Sequence, residues 1–497
     1  MYSMRLQDLF NGIAEIPNEW QNYEVLSVVQ DARQAKAGAL FIAIPGTKVD
    51  GHSFIPQALQ GGAQIFVVQN KSSNVPKDSL QIQVQDSRQT LDLLASRFYQ
   101  APSQKMLCVG ITGTNGKTST SYMLEHLFNA GQKNTGVIGT INHHYLTHVW
   151  ESQMTTPDPL NLQKRLQEFV QLGAKAVAME VSSHALDQKR ANSVDFDAAI
   201  FTNLTRDHLD YHASMEAYFL AKALLFSDLL EKSPKKNKLA VINGDDEWGQ
   251  KISKIKSAPT KYFGFKPENE FQIVLGSSNF THTEFQLKYK NEIIDFKLPM
   301  IGEHNVLNIV GALVCCHHFG QSWSELQQAV QSFNGVPGRL QWVQNNQQRP
   351  VFVDYAHTPD ALENVLNSIR KVRSLRGASN KIWTVFGCGG DRDKGKRPLM
   401  AQIAEKLSDF VMVTSDNPRT ENPADIIKDI LAGFSDPKSE KVTQEGDRSV
   451  AIQKVMNLAQ PEDVILIAGK GHEDYQIIGS EKKFFSDYLE AKKNLGD

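Results

Sequence analysis

The run Gly110-Ile111-Thr112-Gly113-Thr114-Asn115-Gly116-Lys117-Thr118-Ser119 combines residue types that can hold a phosphate chain. An apolar run, Met106-Leu107-Cys108-Val109, precedes it and reads as a buried strand. The residues after it, Tyr122-Met123-Leu124-Glu125-His126-Leu127-Phe128, have the apolar spacing of an amphipathic helix. A glycine-rich turn between strand and helix lets backbone N–H groups close around phosphate oxygens at the helix's positive end. Lys117 can then reach the terminal phosphates and the Thr118 hydroxyl can meet Mg²⁺. The general phosphate-loop pattern has glycine where this chain has Ile111. Gly-Lys-Thr in this setting favours nucleotide binding over a plain glycine turn.

Other chemistry-bearing residues stand at comparable places. Glu180-Val181-Ser182-Ser183-His184 follows one apolar run, and Asn203-Leu204-Thr205-Arg206-Asp207-His208-Leu209-Asp210-Tyr211-His212 follows another. Mg²⁺ takes few protein ligands and completes its shell with water and phosphate oxygens. Glu180 and His208 are therefore candidate ligands beside Thr118. Taken singly, Glu180 reads as a surface carboxylate and His208 as a helix cap; three such turns after three strands favour a site. Lys222 lies in the apolar helical stretch Tyr218-Phe219-Leu220-Ala221-Lys222-Ala223-Leu224-Leu225-Phe226. Such a lysine snorkels to water, or has a partner or a modification, and composition alone favours snorkelling.

Three more clusters fall in the last third. They are Gly387-Cys388-Gly389-Gly390-Asp391-Arg392-Asp393-Lys394-Gly395-Lys396-Arg397-Pro398, Ser415-Asp416-Asn417-Pro418-Arg419 and Gly469-Lys470-Gly471-His472-Glu473-Asp474. Arginine offers a planar fork of donors to a carboxylate, and Asp and Glu suit an ammonium group. Together these turns can grip a zwitterionic amino acid. Charges kept for solubility explain any one cluster better than all three.

Positioning these turns requires alternating strands and helices. Strands are expected at 39–44 and 64–68, then at 174–181, 198–204 and 239–243, and later at 351–355, 383–386, 410–414 and 464–468. Each of the last four is expected to lead through a polar turn into a helix. Junctions fall at Ala101-Pro102-Ser103-Gln104-Lys105 and Gly335-Val336-Pro337-Gly338. The alternation predicts an α/β protein with mostly parallel sheets, whose strand-end turns line the ligand crevices. Lys232-Ser233-Pro234-Lys235-Lys236-Asn237-Lys238 reads as a solvated loop.

Bulk properties limit the alternatives. A chain of 497 residues exceeds one ordinary core. With 53 basic and 55 acidic residues the net charge is -2, which gives no global case for nucleic acid or an anionic membrane. The 4 cysteines have no metal-like spacing and read as buried apolar residues of a reducing compartment. Neither a signal peptide nor a membrane span is indicated, the run 309–316 being far short of the roughly 18–20 residues a span needs. A cytoplasmic enzyme is expected.

These motifs, in this order, resemble those of the Mur ligases, ATP-dependent amide-forming enzymes of peptidoglycan synthesis, over essentially the whole chain. The resemblance rests on Gly113-Thr114-Asn115-Gly116-Lys117-Thr118, Thr155-Thr156-Pro157-Asp158, Glu180-Val181-Ser182-Ser183-His184 and the run 203–211, with Asp354-Tyr355-Ala356-His357-Thr358-Pro359 and Asp416-Asn417-Pro418-Arg419 beyond them. It implies three domains: 1–103 for the UDP end of the substrate, 104–337 for ATP, and a Rossmann-like 338–497 for the incoming amino acid. Within the family the chain is similar to the member that adds meso-2,6-diaminopimelate to UDP-N-acetylmuramoyl-L-alanyl-D-glutamate through an acyl phosphate.

Individual positions gain roles from the same resemblance. Lys222 matches a lysine carried as an N6-carboxy derivative formed with CO₂, which joins Thr118, Glu180 and His208 in holding two Mg²⁺ ions. Gly113, Thr114, Asn115, Gly116, Lys117, Thr118 and Ser119 match the phosphate loop for ATP, and Asn305, Asn308, Arg339 and Asp354 complete that site. Thr155, Thr156, Ser182, Gln188 and Arg190 match contacts to the muramoyl peptide. Arg392, Asp416, Asn417, Pro418, Arg419, Gly469 and Glu473 match the diaminopimelate pocket. Ala32 stands where relatives often have a uridine-contacting serine, with Thr47 and Lys48 as neighbouring candidates. Diaminopimelate differs from lysine by a second carboxylate that Arg419 can pair through two parallel hydrogen bonds, each worth roughly 1.5–3 kcal/mol. A monomer without nucleic-acid or membrane partners is expected. The rival readings are the same ligation with L-lysine, a folylpolyglutamate-synthetase-like ligase, a motor-type NTPase, and a nucleotide-regulated binding protein.

Overall fold

Long apolar runs become parallel strands wherever helices cover both faces of a sheet. The computed structural model describes residues 2–46, 49–73, 75–252, 254–255, 258–347, 349–375 and 380–496. Thr47 and Lys48 lie outside the described residues. Near the N-terminus β1 (Met4–Arg5) pairs antiparallel with β2 (Glu24–Val25). Next, β3 (Ser27–Val29), β4 (Ala39–Ile42), β5 (Ile65–Val68) and β6 (Leu80–Gln83) form a parallel sheet in that order. Helix Ser87–Phe98 is capped by Asp86, whose carboxylate accepts from the N–H groups of Arg88 and Gln89. It buries Leu91, Leu94 and Phe98 and packs on helix Pro159–Gln171.

The central sheet uses β7 (Leu107–Thr112), β8 (Thr135–Ile138), β9 (Asn142–Tyr145), β10 (His148–Glu151), β11 (Ala176–Glu180), β12 (Ala198–Phe201), β13 (Leu239–Asn243) and β14 (Thr260–Gly264). Their order is β10-β9-β8-β11-β7-β12-β13-β14. From β8 to β14 the pairs are parallel, while β8, β9 and β10 form an antiparallel edge. The chain leaves β7 toward β8 on one side and leaves β12 toward β13 on the other, which opens a crevice at their carboxyl ends. Register brings Glu180 beside Ile111 and Phe201 beside Thr112, so the three expected turns share one edge. The charge run at 232–238 is not simply solvated: Lys235 reaches Asp197 at 3.0 Å and the Met106 carbonyl at 2.8 Å.

Residues up to 271 with 310–322 form one compact unit, and 272–309 with 323 onward form a second. In the second, β15 (Phe271–Ser278), β16 (Thr283–Tyr289) and β17 (Glu292–Leu298) include an antiparallel pair, β16 with β17. A six-stranded sheet follows, from β18 (Gln341–Trp342), β19 (Val351–Asp354), β20 (Ile382–Phe386), β21 (Phe410–Thr414), β22 (Val442–Glu445) and β23 (Val464–Ala468). Its order is β18-β19-β23-β20-β21-β22, parallel except at β18. One expectation fails here. The turn after β23 leads into a hairpin, β24 (Tyr475–Ile478) and β25 (Glu481–Phe484), before helix Asp487–Asn494. Tyr475, Ile477 and Ile478 favour strand, and Gly479 at φ 61° supplies the turn between them. Among the described residues no helix is long and apolar enough to cross a membrane.

A buried carboxyl joins helix Ser87–Phe98 to the turn ahead of β12. Asp92 is 1% exposed and accepts a short hydrogen bond from Ser193. Burial raises its pKa from 3.8 to about 7. Because the folded value is the higher one, this contribution to stability is complete below 3.8 and is lost as pH rises through about 7. Thermal unfolding followed across that range should show the midpoint falling with pH in the wild type, and a flatter profile in Asp92→Asn. Identical profiles would remove the titration from Asp92.

Candidate active site

The phosphate loop starts where β7 stops. Gly113 has φ 150°, and a Cβ there would lie 1.9 Å from Thr202 Oγ1, so the position accepts only glycine. Thr114 N–H donates to the Asn203 carbonyl at 2.9 Å, Asn115 N–H to Asn203 Oδ1 at 3.0 Å, and Thr202 Oγ1 to the Asn115 carbonyl at 2.6 Å. The turn after β12 therefore moulds the loop after β7. Helix Lys117–Ala130 begins directly after Gly116 with no side chain capping it, leaving its first N–H groups to face an anion. Ser119 is buried in its first turn.

Two ammonium groups converge on one carbonyl. Lys117 Nζ donates to the Gly113 and Thr114 carbonyls, each at 2.9 Å, and Lys222 Nζ donates to the same Gly113 oxygen at 2.9 Å. Lys222 is 1% exposed and lies over the Tyr218 ring at 4.4 Å. Snorkelling is thus overturned, because helix Met215–Leu224 turns this position inward, toward the loop. Burial, and next the Lys117 charge, push the Lys222 pKa well below the usual lysine value.

Glu180 is also buried, 1% exposed, rather than a surface carboxylate. Its Oε1 accepts from Thr140 N–H at 2.8 Å and its Oε2 from the Thr140 hydroxyl at 3.0 Å. Thr140 Oγ1 is in turn 3.0 Å from Thr155 Oγ1. A Cβ on Gly139 would stand 2.3 Å from Glu180 Oε1, so the bare backbone at 139 gives the carboxylate its room. His208 is not a helix cap: it sits at φ 53° in the turn after β12, with its ring 5.0 Å from His184 and 5.8 Å from Tyr218. Burial lowers its pKa against the opposing pull of Asp207. Among the described residues no three His, Cys, Asp or Glu side chains form a metal-holding group. The residues expected to hold Mg²⁺ are instead one hydroxyl (Thr118), one carboxylate (Glu180), one imidazole (His208) and Lys222. That sparse set fits Mg²⁺, which draws most of its shell from phosphate and water.

Beside Glu180 lies a polar network. The Thr156 hydroxyl donates to the Glu180 carbonyl at 2.9 Å and accepts from Ser182 N–H at 3.0 Å. Arg190 donates to Gln188 Oε1 at 3.0 Å and to the Thr156 carbonyl at 3.2 Å. Gln188 Nε2 donates to Tyr211 OH at 3.1 Å. Thr155, Thr156, Ser182, Gln188 and Arg190 are thereby joined directly or through Thr140 and Glu180. Ala32 stands apart, its methyl buried in the N-terminal cluster with Val29, Phe41 and Phe66.

The second unit presents its own site at strand ends. Asp354 closes β19 and accepts from the N–H groups of Leu340 at 2.6 Å and Ala356 at 2.8 Å. Burial raises its pKa while the Arg339 charge lowers it, and Arg339 lies 5.1 Å over the Tyr355 ring. Asn305 and Asn308 are buried on helix Glu303–His318, Asn305 donating to the Ile301 carbonyl at 2.8 Å. After β21 and β23, Asn417 Nδ2 donates to Glu473 Oε2 at 2.8 Å, and Gly469 turns at φ 114° beside the buried Asp416. Burial raises the Glu473 pKa. Arg419 Nη1 donates to the Gly390 carbonyl at 2.8 Å, following Pro418 in the turn, while Arg392 is exposed.

Several positioning residues escaped the sequence. Thr140 and Gly139 set Glu180. Lys470, wholly buried, binds Asp416 at 3.4 Å, Asn417 at 3.3 Å and Glu473 at 3.3 Å. Arg448 pairs with Asp487 through two bonds of 2.7 Å and also donates to the Ala468 carbonyl at 2.9 Å and the Ser415 carbonyl at 3.3 Å. The one available signal was Lys470 itself, a lysine inside a glycine-flanked turn.

Family models match three stretches: "Mur ligase family, catalytic domain" at 24–99, "Mur ligase middle domain" at 111–316, and "Mur ligase, glutamate ligase domain" at 338–471. The UDP-N-acetylmuramoyl-L-alanyl-D-glutamate–2,6-diaminopimelate ligase of Lawsonia intracellularis is 42% identical over 471 residues, covering 94% of this chain and 95% of its own. The protein of that name from Listeria monocytogenes serotype 4b is 40% identical over 99% of this chain and 100% of its own. A solved structure under the same name superposes with a TM-score of 0.73 at 33% identity, over 100% of this chain and 99% of that one.

Gly139→Ala should lower ATP-dependent turnover by about 10–100-fold by displacing Glu180, with the unfolding midpoint nearly unchanged. Wild-type turnover in that variant would mean that the placement of Glu180 is unimportant to the reaction.

Proposed function

The chain belongs to the Mur ligase family, and from that premise we propose that it joins meso-2,6-diaminopimelate to the D-glutamyl γ-carboxylate of UDP-N-acetylmuramoyl-L-alanyl-D-glutamate, with ATP. It acts as a cytoplasmic monomer in peptidoglycan synthesis. One observation supports the choice of amino acid: the turn after β21 carries both Asp416 and the Arg419 guanidinium, and Asn417 between them donates to Glu473, from the turn after β23, at 2.8 Å. Two carboxylates and two ammonium groups on the ligand match that alternation. Lysine, whose terminal carbon carries an ammonium group but no carboxylate, would leave the guanidinium without an anion.

The phosphates of ATP lie against the first N–H groups of helix Lys117–Ala130, with Lys117 reaching the γ-phosphate. The glutamyl γ-carboxylate, held near Thr155, Thr156, Ser182, Gln188 and Arg190, attacks the γ-phosphorus. The bond to the β-phosphate oxygen breaks, ADP departs and an acyl phosphate forms. The amine of diaminopimelate then attacks the acyl carbon, phosphate leaves and the nitrogen loses a proton. Lys117 offsets negative charge as the two anions approach. Thr118, Glu180 and His208, with a carboxylated Lys222, would hold two Mg²⁺ ions, which supply charge neutralisation at the phosphoryl oxygens.

The surroundings of Lys222 support its carboxylation. A buried amine beside Lys117 favours the uncharged form, whose lone pair can bond the carbon of CO₂ and release a proton. The product replaces a cation repelled by Lys117 with an anion attracted to it. The N-terminal sheet β3–β6 takes the UDP end, with Ala32, Thr47 and Lys48 the nearest candidates by sequence.

Phosphate release measured with the UDP-linked dipeptide should be faster with meso-diaminopimelate than with L-lysine by about tenfold or more. Equal turnover would sink the specificity, and release with neither amino acid would mark a plain ATPase. Lys222→Ala should lose about 10²-fold or more of this activity and regain part of it with added short carboxylic acids. Undiminished activity there would exclude the carbamate.

A further inference from the structure

The turn that carries Arg419 is held from outside by the hairpin β24–β25. That hairpin is a separate two-stranded sheet, and every residue of β25 is exposed. Four hydrogen bonds tie it to residues 416–419. Gln476 Nε2 donates to the Asp416 carbonyl at 2.7 Å, and Ile477 N–H donates to Asn417 Oδ1 at 2.9 Å. Arg419 N–H donates to the Ile477 carbonyl at 3.1 Å, and Gly479 N–H donates to the Arg419 carbonyl at 2.7 Å.

Arg419 has φ 52°, a left-handed conformation disfavoured for any residue with a Cβ. Its N–H and its carbonyl are both engaged by the hairpin, so the strained conformation is set from both sides. The side chain is oriented in turn: Nη1 donates to the Gly390 carbonyl at 2.8 Å and to the Asn417 carbonyl at 3.5 Å, and the Nε and Nη2 side of the fork suits a carboxylate. Losing the hairpin's grip would let Arg419 relax and swing its guanidinium away.

We propose that the hairpin is the positioning element for amino-acid selectivity, and that Gln476 is its side-chain anchor and a positioning residue for Arg419. This rests on the diaminopimelate reading above. Gln476 makes the one bond of the four that a hairpin side chain donates, so substitution can remove it while the main-chain bonds remain. The ligand feature at stake is the second carboxylate, which lysine lacks.

The test compares steady-state kinetics of the full-length wild type, Gln476→Met, Gln476→Glu and Gly479→Ala with meso-diaminopimelate and with L-lysine. Methionine keeps the length without the donor, and glutamate sets an acceptor against the Asp416 carbonyl. Gly479→Ala has open space for its Cβ but strains the donor to Arg419, since φ there is 61°. We expect the KM for diaminopimelate to rise about five- to tenfold, kcat to stay within about twofold, and the preference over lysine to fall toward one. A wild type that does not use diaminopimelate sinks the underlying reading rather than this one. A wild type that uses it, with variants unchanged in KM and preference, overturns the proposal. So does a uniform fall in kcat with both amino acids alongside a lower unfolding midpoint, which would mark a merely structural hairpin.

Discussion

The carbonyl oxygen of Gly113 receives both Lys117 and Lys222, and much of the first unit's chemistry hangs on that shared acceptor. Two ammonium groups on one oxygen repel, the more so because Lys222 is buried where little solvent screens charge. Burial and the Lys117 charge push the pKa of Lys222, the more deeply buried of the two, well below the usual lysine value. Lys117 stands beside the helix N-terminus, where a phosphate chain is attracted. The arrangement needs Gly113 as glycine, because only bare backbone fits against Thr202, and it needs β12 beside β7 to bring Thr202 there. Sheet register, loop shape and electrostatics are thus one constraint.

The second unit handles buried charge in the opposite way. Three of its buried cations are paired rather than crowded. Arg397 meets Glu421 and Asp429, Arg448 meets Asp487, and Lys470 lies among Asp416, Asn417 and Glu473. A buried ion pair adds little net stability over an apolar pair, but removing one partner costs about 3–5 kcal/mol. Such pairs therefore serve position more than stability. Arg448 illustrates this: its remaining donors go to the carbonyls of Ser415 and Ala468, the residues just ahead of Asp416 and Gly469. It ties together the ends of β21 and β23, where the amino-acid turns begin.

What the sequence made legible was local. Continuous apolar runs named ten of the parallel strands to within a few residues but not β3, β6, β8, β14 or β22, and a turn after a strand could be read as a site because parallel sheets put such turns on one edge. What it hid were relations between distant residues. Lys222 looked like a snorkelling lysine because an apolar helix reveals its periodicity but not which face lacks a route to water. Glu180 looked exposed because its partner, Thr140, comes 40 residues earlier. Lys235 looked solvated because Asp197 is brought to it by the sheet. The hairpin at 475–484 was missed by extending a strand-turn-helix rhythm past the point where Tyr475-Gln476-Ile477-Ile478 breaks it.

Backbone conformation was the least legible layer, and it bears directly on the sites. Among the described residues ten non-glycine positions have positive φ, and Lys189, His208, Leu340, Asp391 and Arg419 are five of them. These five either are proposed site residues or adjoin one: Gln188 and Arg190, Arg339, Arg392. A left-handed residue with a Cβ costs on the order of 1–3 kcal/mol and persists only where neighbours over-determine it. Here the determinants are specific acceptors for the N–H of each. Leu340 donates to Asp354 Oδ2 at 2.6 Å, Asp391 to Glu421 Oε1 at 2.6 Å, His208 to Asp207 Oδ1 at 2.8 Å, Arg419 to the Ile477 carbonyl at 3.1 Å and Lys189 to the Leu186 carbonyl at 3.2 Å. Glycine would adopt these angles without cost, but it would surrender a side chain or leave the turn loose. Keeping the side chain and holding the backbone by a hydrogen bond places a functional group at an angle that an extended or helical residue cannot reach.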